Sequence, residues 1–191
     1  MSVFTNAASS APDQVRAYVE AVLGLLGERD PMDVLRSTPN AVTQTIVGLS
    51  PQQRIRPEAA GKWSINDVLQ HLADSEIVWS WRMRLILAQD RPTLTGYDQD
   101  AWASRLGYGE AASEDALELF SVLRRANLRL LSRATSEDLK RVGLHTERGD
   151  ESLEHQRRLY AGHDLLHLRQ LARIRAAVGV DRAHGGTPYP P

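Results

Sequence analysis

Residues 152–179 read SLEHQRRLYAGHDLLHLRQLARIRAAVG, and this run settles the architecture more than any other. The spacing predicts one long helix over 152–178, closed by Gly179. His163, His167, Gln170 and Ile174 recur at three- and four-residue steps, bordered by Leu166 and Leu171. Such steps place side chains on one face of a helix, and the apolar borders mark this as the core-facing side.

Helical periodicity extends in both directions from there. Val15, Tyr18, Val19, Val22, Leu25 and Leu26 form one face of a helix that starts near Ser10, Pro12 and Asp13 and stops at Gly27. Asp30-Pro31 and Thr38-Pro39 are expected to break the next region into short pieces, because proline disfavours helical geometry in the residue before it. Residues 51–62 read as loop. Ser64 is a good N-cap with Asp67 three positions on, opening a helix carried by Ile65, Val68, Leu69, Leu72, Trp79, Met83 and Ile86 as far as about Gln89. The connection over 93–109 contains Tyr97-Asp98-Gln99-Asp100-Ala101-Trp102, and connections this long are functional or hold a short helix of their own.

A third long helix is predicted over 113–134 through Leu117, Phe120, Leu123, Leu128 and Leu131, with Arg124, Arg125, Arg129 and Arg133 on its solvated face. Ser136 begins a short turn, and 142–150 reads as a loop or hairpin-like excursion. Alternating β-signals are otherwise nearly absent. The fold class expected is all-α: a four-helix bundle with a long crossover connection. Residues 1–184 are read as a single domain and 185–191 as a mobile tail.

The chain has 191 residues, with Lys plus Arg at 23 and Asp plus Glu at 24, for a net charge of -1. It lacks the basic footprint that drives binding to phosphate backbones, so nucleic acid is not an expected partner. No cysteine is present. Disulfides, thiolate metal ligands and a cysteine nucleophile are therefore excluded, in keeping with a cytoplasmic setting. Residues 1–6 hold no basic residue and no apolar stretch, so a secretory signal is not expected. No run approaches the roughly 18 apolar residues of a membrane span.

The chemistry concentrates in histidines. His163 and His167, four apart on one helix, can reach a single metal ion. Zinc metalloproteases use the same spacing but place Glu directly after the first His, where this chain has Asp164, so that reading fails. Two imidazoles buried without partners carry a large desolvation cost, which a shared ion would remove. A hydrogen-bonded core pair is the alternative. His71, within Val68-Leu69-Gln70-His71-Leu72, is the best third ligand, although alone it would read as a core histidine. Three neutral nitrogens with open positions match catalytic rather than structural metal sites. Zinc, nickel, manganese and iron all suit imidazole.

Weaker candidates surround this trio. Trp79, Trp81 and Trp102 could line a pocket but read first as core, and Arg82 and Arg84 could bind a substrate carboxylate but read first as an exposed helix face. Asp74 and Glu76 flank the site, and Asp164 points about 100° away from His163 on the helix. His145, His155 and His184 are assigned no role.

The segment from Trp63 through Ser64-Ile65-Asn66-Asp67-Val68-Leu69-Gln70-His71-Leu72-Ala73-Asp74-Ser75-Glu76 resembles the second-helix signature of the DinB/YfiT-like superfamily. Tyr160-Ala161-Gly162-His163-Asp164-Leu165-Leu166-His167-Leu168-Arg169-Gln170 resembles its last-helix signature, and residues 97–102 resemble its middle connection. The resemblance runs from about residue 12 to 178. It implies a four-helix bundle with His71, His163 and His167 as ligands of a divalent metal ion. Members resembling this chain include bacillithiol transferases, mycothiol-dependent maleylpyruvate isomerases and inferred metal-dependent hydrolases, not polymerases.

The resemblance thus implies a hydrolase or thiol S-transferase acting on a small-molecule substrate. Its metal would lower the pKa of a water or of a low-molecular-weight thiol cosubstrate. A non-catalytic stress-response protein binding a metal or small ligand is the competing reading, and histidines as mere core filler a third. A homodimer is also expected, since bundles often bury an apolar face between protomers.

Overall fold

A computed structural model describes residues 12–179. In chain order its elements are α1 (Pro12–Leu26), α2 (Pro31–Ile46), α3 (Pro51–Arg54), α4 (Ile65–Ala88), β1 (Thr93–Leu94), α5 (Gln99–Arg105), α6 (Ser113–Leu131), α7 (Ser136–Lys140), β2 (Val142–His145), β3 (Gly149–Ser152) and α8 (Leu153–Val178). The expected tail at 185–191 lies outside the described residues, as does His184. None of the described helices is long and apolar enough to cross a membrane.

Local capping chemistry starts the helices. Ser64 and Asp67 form a reciprocal capping box at the head of α4, and Ser152 caps α8 by accepting from the His155 amide. The region expected to be broken by prolines is instead the 16-residue helix α2. Two physical facts explain the difference. Pro31 occupies the first turn, where its missing N–H is no loss, and the Asp30 carboxylate caps the Met32 and Asp33 amides at 2.7 and 3.1 Å. Pro39 does sit in the interior and cannot donate to the Leu35 carbonyl. Arg124 of α6 supplies that hydrogen bond instead, from Nη1 at 3.0 Å.

The four-helix bundle is α2, α4, α6 and α8: α2 packs on α8 and α6, and α4 packs on the same two. The sequence reading placed α1 in that set; it is a further helix, packed on α8. Gly162 allows this approach, because a Cβ there would lie 2.4 Å from the Val22 carbonyl oxygen. The long crossover from α4 to α6 carries β1 and α5, and residues 142–152 form the hairpin β2–β3. The strand order is β1-β2-β3, with β1 parallel to β2 in the register Thr93↔Leu144 and Leu94↔His145. Leu94 joins Ile86 of α4 in the core, so the sheet is anchored to the end of that helix.

Two apolar clusters fill the interior. One gathers around Leu35, Trp79, Met83, Leu131 and Tyr160, the other around Val42, Leu69, Leu72, Phe120 and Leu171. Along α4, α6 and α8 the residues between these clusters are polar and buried: His71, Ser75, Glu76, Arg124, Asn127, His163, Asp164 and His167.

Candidate metal centre

α4 and α8 face each other across this polar layer, and their spacing brings three imidazoles together. His71 Nε2 and His167 Nε2 each lie 3.2 Å from His163 Nε2, and the ligand atoms of all three residues fall within 4.8 Å of one another. Two imidazole nitrogens about 2.0–2.1 Å from one ion, at a tetrahedral angle, stand about 3.3 Å apart. The donor set therefore fits a single small divalent cation.

Electrostatics prepare the same outcome. Burial, and then the neighbouring imidazoles, hold the pKa values of His71 and His163 well below 6.5. Burial brings His167 down to about 4, partly offset by its bond to Gln170. All three are neutral at pH 7, the state in which imidazole binds metal. Gln170 Oε1 accepts from His167 Nδ1 at 2.8 Å, which turns the Nε2 lone pair toward the other two rings. The Nδ1 atoms of His71 and His163 are buried without a partner. Hydrogen bonding among the three rings cannot satisfy this set, so core packing alone accounts for it poorly.

Beside the centre, the Ser75 hydroxyl stands 3.4 Å from His71 Nε2 and 3.3 Å from the Tyr97 hydroxyl. A cavity reaches this point, lined by His163, Ser75, Trp79, Tyr97, Arg82 and His145 among others. Trp79 stacks on Tyr160 with ring centroids 5.1 Å apart and sets its edge toward His163. Of the other tryptophans, Trp81 is exposed, and Trp102 packs on Tyr97 at 4.5 Å.

Two expectations about charged residues are corrected. Arg124, read as solvated, is fully buried and donates to Glu76, Asp164, Tyr160 and the Leu35 carbonyl. Burial alone would lower its pKa, but Asp164, Tyr160 and Glu76 outweigh that and hold it well above the ordinary arginine value. Arg82, read as exposed, is 5% exposed, whereas Arg84 does lie on the surface. His145, assigned no role, is buried on the cavity wall. Asp74, expected to flank the centre, accepts from the Tyr108 hydroxyl at 2.6 Å.

The signals for two of the missed groups were present. His71, Ser75, Trp79 and Arg82 follow one another on α4 at steps of four, four and three, a single helical stripe. Ala116, Phe120, Arg124, Asn127 and Leu131 do the same on α6. His145 had no such signal, because its place depends on strand register opposite Leu94 and Gly149.

Four packed helices directing imidazoles from facing members to one interior point define a class of protein, the helical bundle with a metal-type centre in its core. The sequence profile described as the DinB superfamily matches residues 35–171. The chain belongs to that superfamily. It is 26% identical to an inferred metal-dependent hydrolase of Oceanobacillus iheyensis over 73% of its length and 81% of the relative's. A protein of Bacillus cereus bearing the same description is 28% identical over 74% of the chain and 81% of the relative. Among solved structures, YfiT from Bacillus subtilis, described as an inferred metal-dependent hydrolase with an unusual four-helix bundle topology, superposes with a TM-score of 0.69. That match has 27% identity and covers 75% of this chain and 84% of YfiT.

Proposed function

We propose that the protein is a divalent-metal-dependent enzyme whose ligands are His71, His163 and His167. The observation that carries this reading is the convergence of three neutral, buried imidazoles beside a cavity, with His71 Nε2 and His167 Nε2 each 3.2 Å from His163 Nε2. When bound, such an ion supplies Lewis acidity that lowers the pKa of a water or thiol and yields a nucleophile near neutral pH. The hydrolytic form is supported by the descriptions of the relatives. Thiol transfer is the other form, and since the chain has no cysteine the thiol must arrive on a low-molecular-weight cosubstrate.

The chain's own residues divide the remaining work. Gln170 holds the His167 ring in the binding tautomer. Ser75 and Tyr97 place two hydroxyls at the edge of the centre, where they can hold a proton or orient a reacting group. Trp79 and the buried walls keep bulk water away, which strengthens every charge interaction inside.

Elemental analysis of untagged protein tests the proposal. About one divalent ion per chain in the wild type, absent from His163→Ala, is the expected result. No ion after incubation with zinc, nickel, manganese and iron would remove the metalloenzyme reading. Hydrolysis of activated esters with and without a small thiol then separates the two forms.

A further inference from the structure

The cavity beside the histidines contains a buried cation with no anion bound to it. Arg82 lines that cavity and is 5% exposed. Its Nη2 donates to the Thr95 carbonyl at 2.6 Å, while its Nε has no acceptor. Its guanidinium lies 5.8 Å from the Trp79 ring centroid. No carboxylate among the described residues forms an ion pair with it. Arg148, the other cation of the wall, is held by Glu151 at 2.5 Å. A buried charge in a folded protein is ordinarily paired, yet among the described residues Glu151 and Glu147 act on Arg82 only through space and neither bonds to it.

His145 adds a second unpartnered donor to the same wall. Its Nδ1 accepts from the Glu147 amide at 3.2 Å, which leaves the ring proton on Nε2. That Nε2 is buried and bonded to nothing. Burial, then Arg148 and Arg82, bring the His145 pKa down to about 3, so the ring acts as a neutral donor. Among the described residues Glu147 is the one acidic side chain on the wall, against Arg82 and Arg148.

We propose that this cavity binds a small molecule bearing a carboxylate, received by Arg82 and the Nε2–H of His145 beside the three-histidine centre. The inference rests on reading that cavity as the substrate site. A guanidinium and a neutral N–H together complete the hydrogen bonding of an anion while the anion neutralises Arg82. The carboxylate belongs either to the substrate or to the thiol cosubstrate, and the same chemistry receives it in both cases.

Calorimetry with succinate and its uncharged analogue succinamide tests this, first on metal-free protein so that chelation plays no part. Succinate should bind at least about ten-fold more tightly, the worth of one charge-assisted hydrogen bond. Arg82→Met should abolish the difference, and His145→Phe should reduce it, with circular dichroism unchanged. Equal binding of the two compounds to the wild type overturns the proposal without recourse to any variant. So does a succinate preference that survives in a folded Arg82→Met. The metal reading fails separately: protein that binds no zinc yet prefers succinate loses the metal and keeps the carboxylate site. In zinc-loaded protein, tighter binding of 3-mercaptopropionate than of succinate, lost in His163→Ala, supports the proposal with the carboxylate on the thiol. Equal binding of these two supports it with the carboxylate on the other substrate.

Discussion

Two polar groupings lie between the same two apolar clusters, and they are completed in opposite ways. In the first, all five N–H donors of Arg124 find acceptors in Glu76, Asp164, Tyr160 and the Leu35 carbonyl, and Asn127 donates to the second Glu76 oxygen at 3.0 Å. In the second, two of three imidazoles have a buried nitrogen without a partner, and the three Nε2 atoms face one another; of the Nδ1 atoms, only that of His167 is bonded outward, to Gln170. A satisfied buried network rigidifies a core, whereas a partly satisfied one costs free energy until something completes it. Burial therefore does not distinguish structure from function in this bundle. Closure does. The contrast repeats in a single residue type: Arg124 has two carboxylates and Arg82 has none.

The largest expected effect is on the closed side. Arg124→Met leaves Glu76 and Asp164 buried without their cation and should cost about 3–5 kcal/mol in denaturant unfolding. Replacing all three by apolar residues should cost less than removing Arg124 alone. In metal-free protein, His163→Phe should cost less than Arg124→Met, because it removes an unpartnered nitrogen rather than a satisfied charge. Equal losses at the two sites would erase the distinction.

On the open side, Gln170→Ala should weaken zinc binding about 10–100-fold in a chelator competition, with little change in metal-free stability. His145 adds a pH test. Its neutral folded form, with a pKa of about 3 against 6.5 in the unfolded chain, means that unfolding takes up a proton below pH 6.5. The resulting stability loss is absent at neutral pH, reaches about 1 kcal/mol near pH 5.5 and grows toward pH 3; His145→Gln should flatten that part of the profile. The smallest effect belongs to an exposed ion pair. Arg173 holds the Glu58 pKa below 4.5 through its hydrogen bond. Glu58→Gln should cost about 0.5 kcal/mol or less at pH 7, and the difference should vanish as pH falls below 4.5 through the depressed folded pKa.

Much of this was legible in the residues. The capping box at Ser64 and Asp67, the full extent of α8 and the pairing of His163 with His167 follow from spacing that is local to one helix, and His71 stood out as the third ligand by its place among the core positions of α4. The losses share a cause: each depends on a partner far away in the chain. Arg124 looked solvated because its acceptors lie on α2, α4 and α8, although its position in register with Phe120 and Leu131 marked it as interior. The walls supplied by the sheet, His145 among them, were hidden because strand pairing fixes their place and the strands have two to four residues each.

The hydrogen bond between Arg124 and the Leu35 carbonyl, 89 residues apart, also has a consequence for the order in which the chain assembles. Residues 31–46 cannot close their own backbone ladder at Pro39, so the donor that completes it arrives only when α6 docks. An isolated peptide of that segment should be weakly helical, and α2 should gain full hydrogen-exchange protection no earlier than α6. A short-range element thus waits on a long-range contact, and the proline makes that dependence part of the folding path.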